Sequence, residues 1–238
     1  MSQNGSAAVE HAKRVREMFG TIAGRYDVLN HLLSGNVDKR WRKLVAKRLN
    51  AKLAGPESLI LDVACGTGDL SLTLFENTRA RVVATDFCRP MLSIAASKVR
   101  GEINLIEGDA LRLPFRDGTF DAVTIAFGLR NLASVAGGLS ELQRILKPNG
   151  WLAVLEFSRP TNAILRPLFG LYFRRILPLM GGVISGSLSA YTYLPASVSK
   201  FPDQEQLALL MTESGFDQVS FENLTGGIAA LHLGRRPE

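Results

Sequence analysis

The stretch "LILDVACGTGDL", from Leu59 to Leu70, decides the fold of this 238-residue chain. Its first half is a short apolar run typical of a buried strand, and its second half is a glycine turn that leads into a helix. This order places backbone N–H groups and the positive end of a helix beside a ligand. Because glycine lets the backbone come close to that ligand, Gly66 and Gly68 are the first predicted binding residues.

The same alternation of apolar strand and helical segment continues downstream. Further strands are predicted at "RVVATD", "INLIEGDA", "DAVTIAF" and "WLAVLEFS", with helical segments between them. Apolar strands that alternate with helices favour a parallel sheet covered by helices on both faces, an α/β fold. Near the C-terminus, "QVSFENL" and "GIAALHLGR" are joined by "TGG", which predicts an antiparallel hairpin.

We interpret residues 1–238 as one domain with two additions. Residues 1–55 form an N-terminal helical cap, in which the first ten residues are expected to fray and helical periodicity begins near Val9. Residues 160–202 form an insertion after the fifth strand. A composition of 46% hydrophobic residues is sufficient for a single core.

The glycine turn departs from the dinucleotide-binding pattern G-x-G-x-x-G. Counted from Gly66, the third glycine is replaced by Ser71, and counted from Ala64, the first glycine is missing. The third glycine normally lets helix and strand pack closely around a pyrophosphate. No Gly-Lys-Ser/Thr follows, so a phosphate-binding loop of the Walker type is excluded as well.

Two acidic residues at strand ends predict an adenosine site. Asp86 closes the second strand twenty residues after the turn, where a carboxylate can accept both ribose hydroxyls. Asp109 follows the third strand and can accept the amino group of an adenine, with the N–H of Ala110 beside the ring. No second glycine pattern follows, which favours a cofactor with a single nucleoside.

Composition and charge limit the partners. A formal charge of +6 and a pI near 9.6 fit an anionic partner or an ordinary basic enzyme equally well. No nucleic-acid-binding motif is present, so no nucleic acid is expected. Two cysteines beside the predicted cofactor turns suggest a reducing cytosol. The sequence predicts no signal peptide, no membrane-spanning helix and no metal site.

Four blocks carry a resemblance to known enzymes: "YDVLNHLLSGNVDKRW" (Tyr26 to Trp41), "DVACGTGD", "FGLRNL" (Phe127 to Leu132) and "RILKPNGWLAVLEFS" (Arg144 to Ser158). Over nearly its whole length the chain resembles class I S-adenosylmethionine-dependent methyltransferases, and within them the quinone C-methyltransferase family. The resemblance implies a Rossmann-like seven-stranded sheet, mostly parallel with a C-terminal antiparallel hairpin. It also implies S-adenosyl-L-methionine as the cofactor.

The same resemblance implies the reaction. The family transfers a methyl group to a ring carbon of a reduced polyprenyl quinone, and this chain is most similar to members that convert demethylmenaquinol to menaquinol. A benzoquinol of the ubiquinone pathway stays open as the substrate. A nicotinamide-dependent oxidoreductase is a more distant alternative, disfavoured by the incomplete glycine pattern and the C-terminal hairpin.

The resemblance also implies site residues. Arg130 is expected to stabilise a developing quinolate, since arginine does not normally lose its proton, and Asn131 to orient the hydroxyl or a water molecule. Tyr26, from the cap, is expected to contact the cofactor, the substrate or a bridging water. Asp62 and Thr67 are expected to bind the cofactor at the turn. His31 is a further candidate for the general base.

The insertion suits a substrate with a polyprenyl tail. Its stretch "LRPLFGLYFRRILPLM" combines aromatic, aliphatic and arginine residues without any acid. Such a segment can lie on an anionic membrane surface with its apolar face buried. A helical lid over the sheet edge and a homodimer face are alternatives. The expected location is the cytoplasm, and contact with a membrane would place the protein at its inner face.

Overall fold

The computed structural model describes residues 3–161, 165–171 and 188–238, and these residues form a single mixed sheet with helices on both sides. In chain order the strands are β1 Leu59–Val63, β2 Arg81–Asp86, β3 Asn104–Glu107, β4 Phe120–Ala126, β5 Leu146–Phe157, β6 Asp217–Leu224 and β7 Ala229–Arg235. Their order across the sheet is β3-β2-β1-β4-β5-β7-β6. Strands β1 to β5 are parallel, and β7 is antiparallel to both neighbours. The predicted sheet and hairpin are confirmed.

The described helices alternate with these strands. They are α1 Gln3–Ile22, α2 Tyr26–Ser34, α3 Val37–Asn50, α4 Asp69–Asn77, α5 Arg89–Val99, α6 Val135–Ile145, α7 Leu165–Leu171, α8 Leu188–Lys200 and α9 Gln204–Glu213. Helix α1 begins at Gln3, so the expected fraying up to residue 10 is wrong. Ala7 and Ala8 are strong helix formers and favour an earlier start of the helix. No helix in the described ranges is both long enough and apolar enough to cross a bilayer.

The core lies on both faces of the sheet because successive strand residues point to opposite sides. In β1, Ile60 joins a cluster beneath α3 and α4, whereas Leu61 joins a cluster beneath α6 and α9. The side chains of α3 that enter the first cluster are Trp41, Val45 and Leu49. Their spacing is that of one helix face, as the periodicity of this segment predicts.

The order of the strands reverses at β1, which pairs with β2 on one side and β4 on the other. In sheets of this kind, ligands bind in the crevice beyond the carboxyl ends of the strands at such a reversal. Here Ala64, with a φ of +51°, follows β1, and Gly128 follows β4. A Cβ atom at position 128 would lie 2.6 Å from that of Ala64, so only glycine fits there.

The insertion after β5 is described in part. Helices α7 and α8 belong to it, and α8 contains Pro195. The glycine cluster of residues 181, 182 and 186 and most of the arginine-containing apolar stretch lie outside the described residues. The contact of this stretch with a membrane therefore stays a prediction.

Candidate active site

An open cavity lies at the carboxyl ends of the parallel strands, where sheets of this kind bind their ligands. The predicted site residues that line it are Tyr26, Gly66, Asp86, Asp109, Ala110 and Asn131. Apolar side chains make up much of the remaining wall, and they include Phe19, Phe87, Met91, Leu111, Phe127 and Leu132. The structure therefore brings together polar groups from the ends of β2, β3 and β4 and from the N-terminal helices.

Asp86 is fixed by the backbone of the cofactor turn. Its carboxylate accepts hydrogen bonds from the N–H groups of Gly66 and Cys88, each at 2.8 Å. Burial raises the pKa of Asp86, and these backbone N–H donors oppose that shift. Gly66 has a φ of +57°, which glycine adopts without strain. Since a carboxylate has about four acceptor positions, Asp86 retains acceptor capacity for a ligand hydroxyl.

The end of β3 provides the second acidic group of the cavity. Asp109 is exposed, and its Oδ1 accepts a hydrogen bond from the backbone N–H of Leu111 at 2.9 Å. Ala110 is buried beside it. The pair therefore lies where the sequence places the adenine contacts, at the same sheet edge as Asp86.

Three predicted cofactor residues do not line the cavity. Both oxygens of Asp62 are engaged, since Ser71 and Thr124 donate hydroxyl hydrogen bonds to them at 2.6 and 2.7 Å. Burial raises the pKa of Asp62 to about 6. Gly68 packs against α5, where an added Cβ would lie 3.2 Å from that of Ala95. Asp62 and Gly68 therefore support the turn from outside the cavity. Direct contact of Asp62 with the cofactor stays a prediction that this geometry does not favour.

Thr67 is the third of these residues, and its hydroxyl faces the N-terminal helices. It donates a hydrogen bond to Asp27 of α2. Asp27 also pairs with Lys98 of α5, whose ammonium group lies 2.7 Å from Asp69 at the start of α4. Ionic contacts therefore connect the N-terminal helices to both helices that flank the glycine turn, a connection that spacing in the sequence did not reveal.

Tyr26 covers the glycine turn. A Cβ atom added to Gly66 would lie 4.0 Å from its ring, and Phe19 packs edge-on against that ring with 5.9 Å between centroids. Burial raises the pKa of Tyr26, while the positive charge of Arg130 partly opposes this. The phenol is therefore protonated at neutral pH, and the side chain of Asn30 is a hydrogen-bond partner for it.

The side chain of Arg130 is buried in an ion pair and does not line the cavity. Its Nη1 lies 2.7 Å from Oε1 of Glu156 on β5 and also donates to the carbonyl of Phe127. Its Nε is buried and has no hydrogen-bond partner among the described residues. Sequence reasoning missed Glu156, although a single acid within the apolar strand "WLAVLEFS" is a signal that a partner is required.

Asn131 lies where three elements meet. Its side-chain N–H₂ donates to the carbonyl of Phe127 at 3.1 Å, and its Oδ1 accepts from the hydroxyl of Tyr193 on α8 at 3.1 Å. Nε2 of His11 on α1 lies 3.0 Å from the backbone carbonyl of Asn131. Neither His11 nor Tyr193 was predicted from the sequence, because their contacts with Asn131 span 120 and 62 residues of the chain.

His31 lies away from the residues that line the cavity. Its Nδ1 is 2.9 Å from Asp38 and its Nε2 is 3.5 Å from Asp69. These three side chains could surround a cation, but Arg42 already pairs with Asp38 and lies 3.8 Å from Asp69. The geometry therefore favours a structural role for His31 over the predicted role as general base.

The fold and the site define the class of this protein. A seven-stranded sheet with one antiparallel strand next to the edge and a cavity at the β1 reversal is the class I methyltransferase arrangement. A solved S-adenosylmethionine-dependent methyltransferase from Thermotoga maritima shares this fold with a TM-score of 0.65 and 18% identity. The similarity covers 92% of this chain and 98% of that one. The predicted fold class is confirmed.

The family follows from the sequence comparisons. A model described as the ubiE/COQ5 methyltransferase family matches residues 7–236, and the chain belongs to this family. The demethylmenaquinone methyltransferase of Thermus thermophilus is 50% identical over 92% of this chain and 100% of that protein. The ubiquinone/menaquinone biosynthesis C-methyltransferase UbiE of Citrifermentans bemidjiense is 43% identical over 97% of this chain and 99% of that protein. The predicted family is confirmed, and the oxidoreductase alternative is set aside.

Proposed function

We propose that this protein transfers a methyl group from S-adenosyl-L-methionine to a ring carbon of a reduced polyprenyl quinone, with demethylmenaquinol as the substrate and menaquinol as the product. The observation that carries the proposal is a single cavity that joins the acidic ends of β2 and β3 to Asn131 beyond β4. The relative with 50% identity is named for the same reaction. A benzoquinol of the ubiquinone pathway is the alternative substrate, which the name of the second relative covers.

The acidic half of the cavity is suited to the nucleoside. Asp86 accepts the ribose hydroxyls with its oxygens already oriented by backbone N–H groups, and Asp109 accepts the adenine amino group. Gly66 lines the same cavity and carries no side chain, so its backbone would be open to the methionyl part. The bound cofactor supplies a sulfonium methyl group, which is already a strong electrophile, so the protein has to orient the ring and exclude water.

The other half of the cavity is suited to the quinol. Asn131 orients the ring hydroxyl or a water molecule that accepts its proton, which increases the electron density on the ring. Arg130 acts on the developing negative charge through space, because its field reaches the phenols of both Tyr26 and Tyr193. Because Arg130 is paired with Glu156, its guanidinium is held in place. Its proposed action is therefore electrostatic and involves no proton transfer.

The test is a direct assay of the purified protein. Demethylmenaquinol and a polyprenyl benzoquinol lacking the ring methyl are incubated side by side with S-adenosylmethionine, and the products are analysed by mass spectrometry. We expect the naphthoquinol to gain one methyl group at the higher kcat/KM. Preference for the benzoquinol would assign the ubiquinone pathway, and methylation of neither quinol would refute the proposal.

A binding measurement separates the cofactor from the reaction. We expect S-adenosylhomocysteine, but not NADH, to raise the melting temperature, because binding to the native state alone stabilises it. Stabilisation by NADH alone would contradict the proposal even if the quinol assay failed for other reasons.

We also propose that the enzyme works at the inner face of an anionic membrane. Helix α3 exposes Lys39, Arg40, Lys43 and Lys47, and these positions lie on one side of the helix. The one acid of α3, Asp38, is buried and pairs with Arg42. A basic face of this kind attracts anionic lipid, at about 1 kcal/mol for each charge near the surface. Because a polyprenyl substrate is dissolved in the bilayer, contact with the membrane would bring the enzyme to its substrate.

Vesicle flotation tests this contact. We expect binding to vesicles that contain phosphatidylglycerol, little binding to pure phosphatidylcholine, and loss of binding in a Lys39→Gln/Lys43→Gln/Lys47→Gln variant. The control Arg112→Gln/Arg116→Gln/Lys200→Gln removes the same number of exposed charges elsewhere. Equal loss in both variants would contradict a specific role for α3. A homodimer stays a separate prediction, which sedimentation equilibrium would test.

A further inference from the structure

Helices α1 and α8 converge on the short turn Leu129–Asn131, next to the cavity. From α1, Nε2 of His11 lies 3.0 Å from the backbone carbonyl of Asn131. From α8, the hydroxyl of Tyr193 donates to Oδ1 of Asn131 at 3.1 Å. Tyr193 is half-buried and lies within the insertion, so a residue remote in sequence contacts a side chain that lines the cavity.

The contacts of Asn131 determine which way its amide faces. Tyr193 remains protonated at neutral pH, because burial raises the pKa of its phenol more than the charge of Arg130 lowers it. The phenol therefore donates, and the amide oxygen accepts. On the other side of the amide, Nδ2 donates one hydrogen to the carbonyl of Phe127. The second hydrogen of Nδ2 has no partner among the described residues and is available to a ligand.

We propose that Tyr193 is a positioning residue, which fixes the Asn131 amide so that its remaining N–H is presented to the quinol oxygen on the carbon next to the ring carbon that is methylated. The terminal torsion of an asparagine side chain is broad and roughly two-fold, so the amide needs an external contact to select one face. The carbonyl of Phe127 holds the nitrogen of the amide, and the hydroxyl of Tyr193 holds its oxygen. The inference rests on the proposed role of Asn131 in binding the substrate.

The substitution Tyr193→Phe tests the proposal, because it removes one hydroxyl and retains the ring. We expect kcat to fall about fivefold, the effect of one neutral hydrogen bond, with unchanged affinity for S-adenosylhomocysteine. Cofactor affinity is unchanged because Tyr193 is not one of the residues that line the cavity with Asp86 and Gly66. Ser199→Ala on the same helix is the matched control, since that hydroxyl donates only to the carbonyl of Ala196. It should leave kcat unchanged.

A double-mutant cycle distinguishes positioning from packing. Asn131→Ala alone should lower kcat by about a hundredfold, as loss of a donor to a developing oxyanion does. In that background Tyr193→Phe should have no further effect, because a residue that acts only through Asn131 loses its target. Additive losses, or a lower melting temperature without a change in kcat, would overturn the inference for Tyr193. If Asn131→Ala itself left kcat unchanged, the proposed role of Asn131 would fail instead.

Discussion

Ala64 and Gly128 are in contact at the point where β1 and β4 end. Ala64 occupies the place of the first glycine in the dinucleotide pattern, and it adopts a φ of +51°, which costs an L-residue about 1–2 kcal/mol. Gly128 pays no such cost, but a Cβ there would lie 2.6 Å from Ala64 and 3.1 Å from Ile125. The methyl group of Ala64, at the place of the missing glycine, is therefore accommodated by a glycine that follows the neighbouring strand.

Gly128→Ala should lower the free energy of unfolding by about 1–3 kcal/mol, the usual cost of overpacking a close contact. Combined with Ala64→Gly, it should recover part of that loss, since the closest atom is removed. Urea denaturation of both variants and of Ala64→Gly alone checks this. A double variant as unstable as the sum of the single variants would contradict the contact.

Asp86→Asn should weaken S-adenosylhomocysteine binding about 10- to 100-fold, because hydrogen bonds from ligand hydroxyls to a charged acceptor are worth about 1.5–3 kcal/mol. The matched substitution Asp109→Asn should have a smaller effect, since Asp109 is exposed. Isothermal titration calorimetry gives both constants. Equal effects of the two substitutions would argue against Asp86 as the ribose ligand.

At the scale of elements, one buried ion pair connects the turn Leu129–Asn131 to the interior of β5. The side chains of Arg130 and Glu156 are 6% and 1% exposed, so neither charge has much access to water. Burial raises the pKa of Glu156, and the nearby guanidinium opposes that shift. Removing one partner leaves the other charge buried and unpaired, which is far more costly than removing both.

Glu156→Gln should therefore lower the free energy of unfolding by about 3–5 kcal/mol, whereas Arg130→Met/Glu156→Leu should recover much of this loss. Chemical denaturation measures both. Turnover then separates the two roles of Arg130. If the stable double variant retained full kcat, Arg130 would be purely structural, and the predicted action on the quinolate would be wrong.

At the scale of the whole molecule, a buried neutral histidine couples stability to pH. His232 of β7 is 1% exposed, its Nε2 lies 2.9 Å from the carbonyl of Gln204 on α9, and its Nδ1 has no partner among the described residues. Burial lowers the pKa of His232 from the ordinary value of 6.5. The unfolded chain therefore binds a proton at this position at a pH where the folded chain does not.

The contribution of His232 should be fully present above pH 6.5 and should be lost as the pH falls below that value toward the lowered pKa. The free energy of unfolding of the wild type should thus decrease more steeply in this window than that of His232→Gln. Comparing the two proteins at each pH cancels the titration of every other group. A His11→Gln variant with the same flattening would contradict the assignment to His232.

The sequence predicted the sheet, the hairpin, the family and the residues at the strand ends, because hydrophobic periodicity and glycine position depend on local chain geometry. Gly66, Asp86, Asp109 and Ala110 fall at the ends of predicted strands, and the structure places them in one cavity. The start of α1 was predicted incorrectly, since the first residues of a helix often carry no sharp local signal.

The partners of these residues were decided only by tertiary structure. Thr67 faces Asp27 of α2, Arg130 pairs with Glu156, and Asn131 contacts His11 and Tyr193. Each contact joins elements far apart in the chain, so no local pattern encodes it. The sequence by itself determined which chemistry the strand ends can offer. Packing decided which polar groups have hydrogen-bond partners within the protein and which remain for a ligand, because an unpaired polar group is costly to bury.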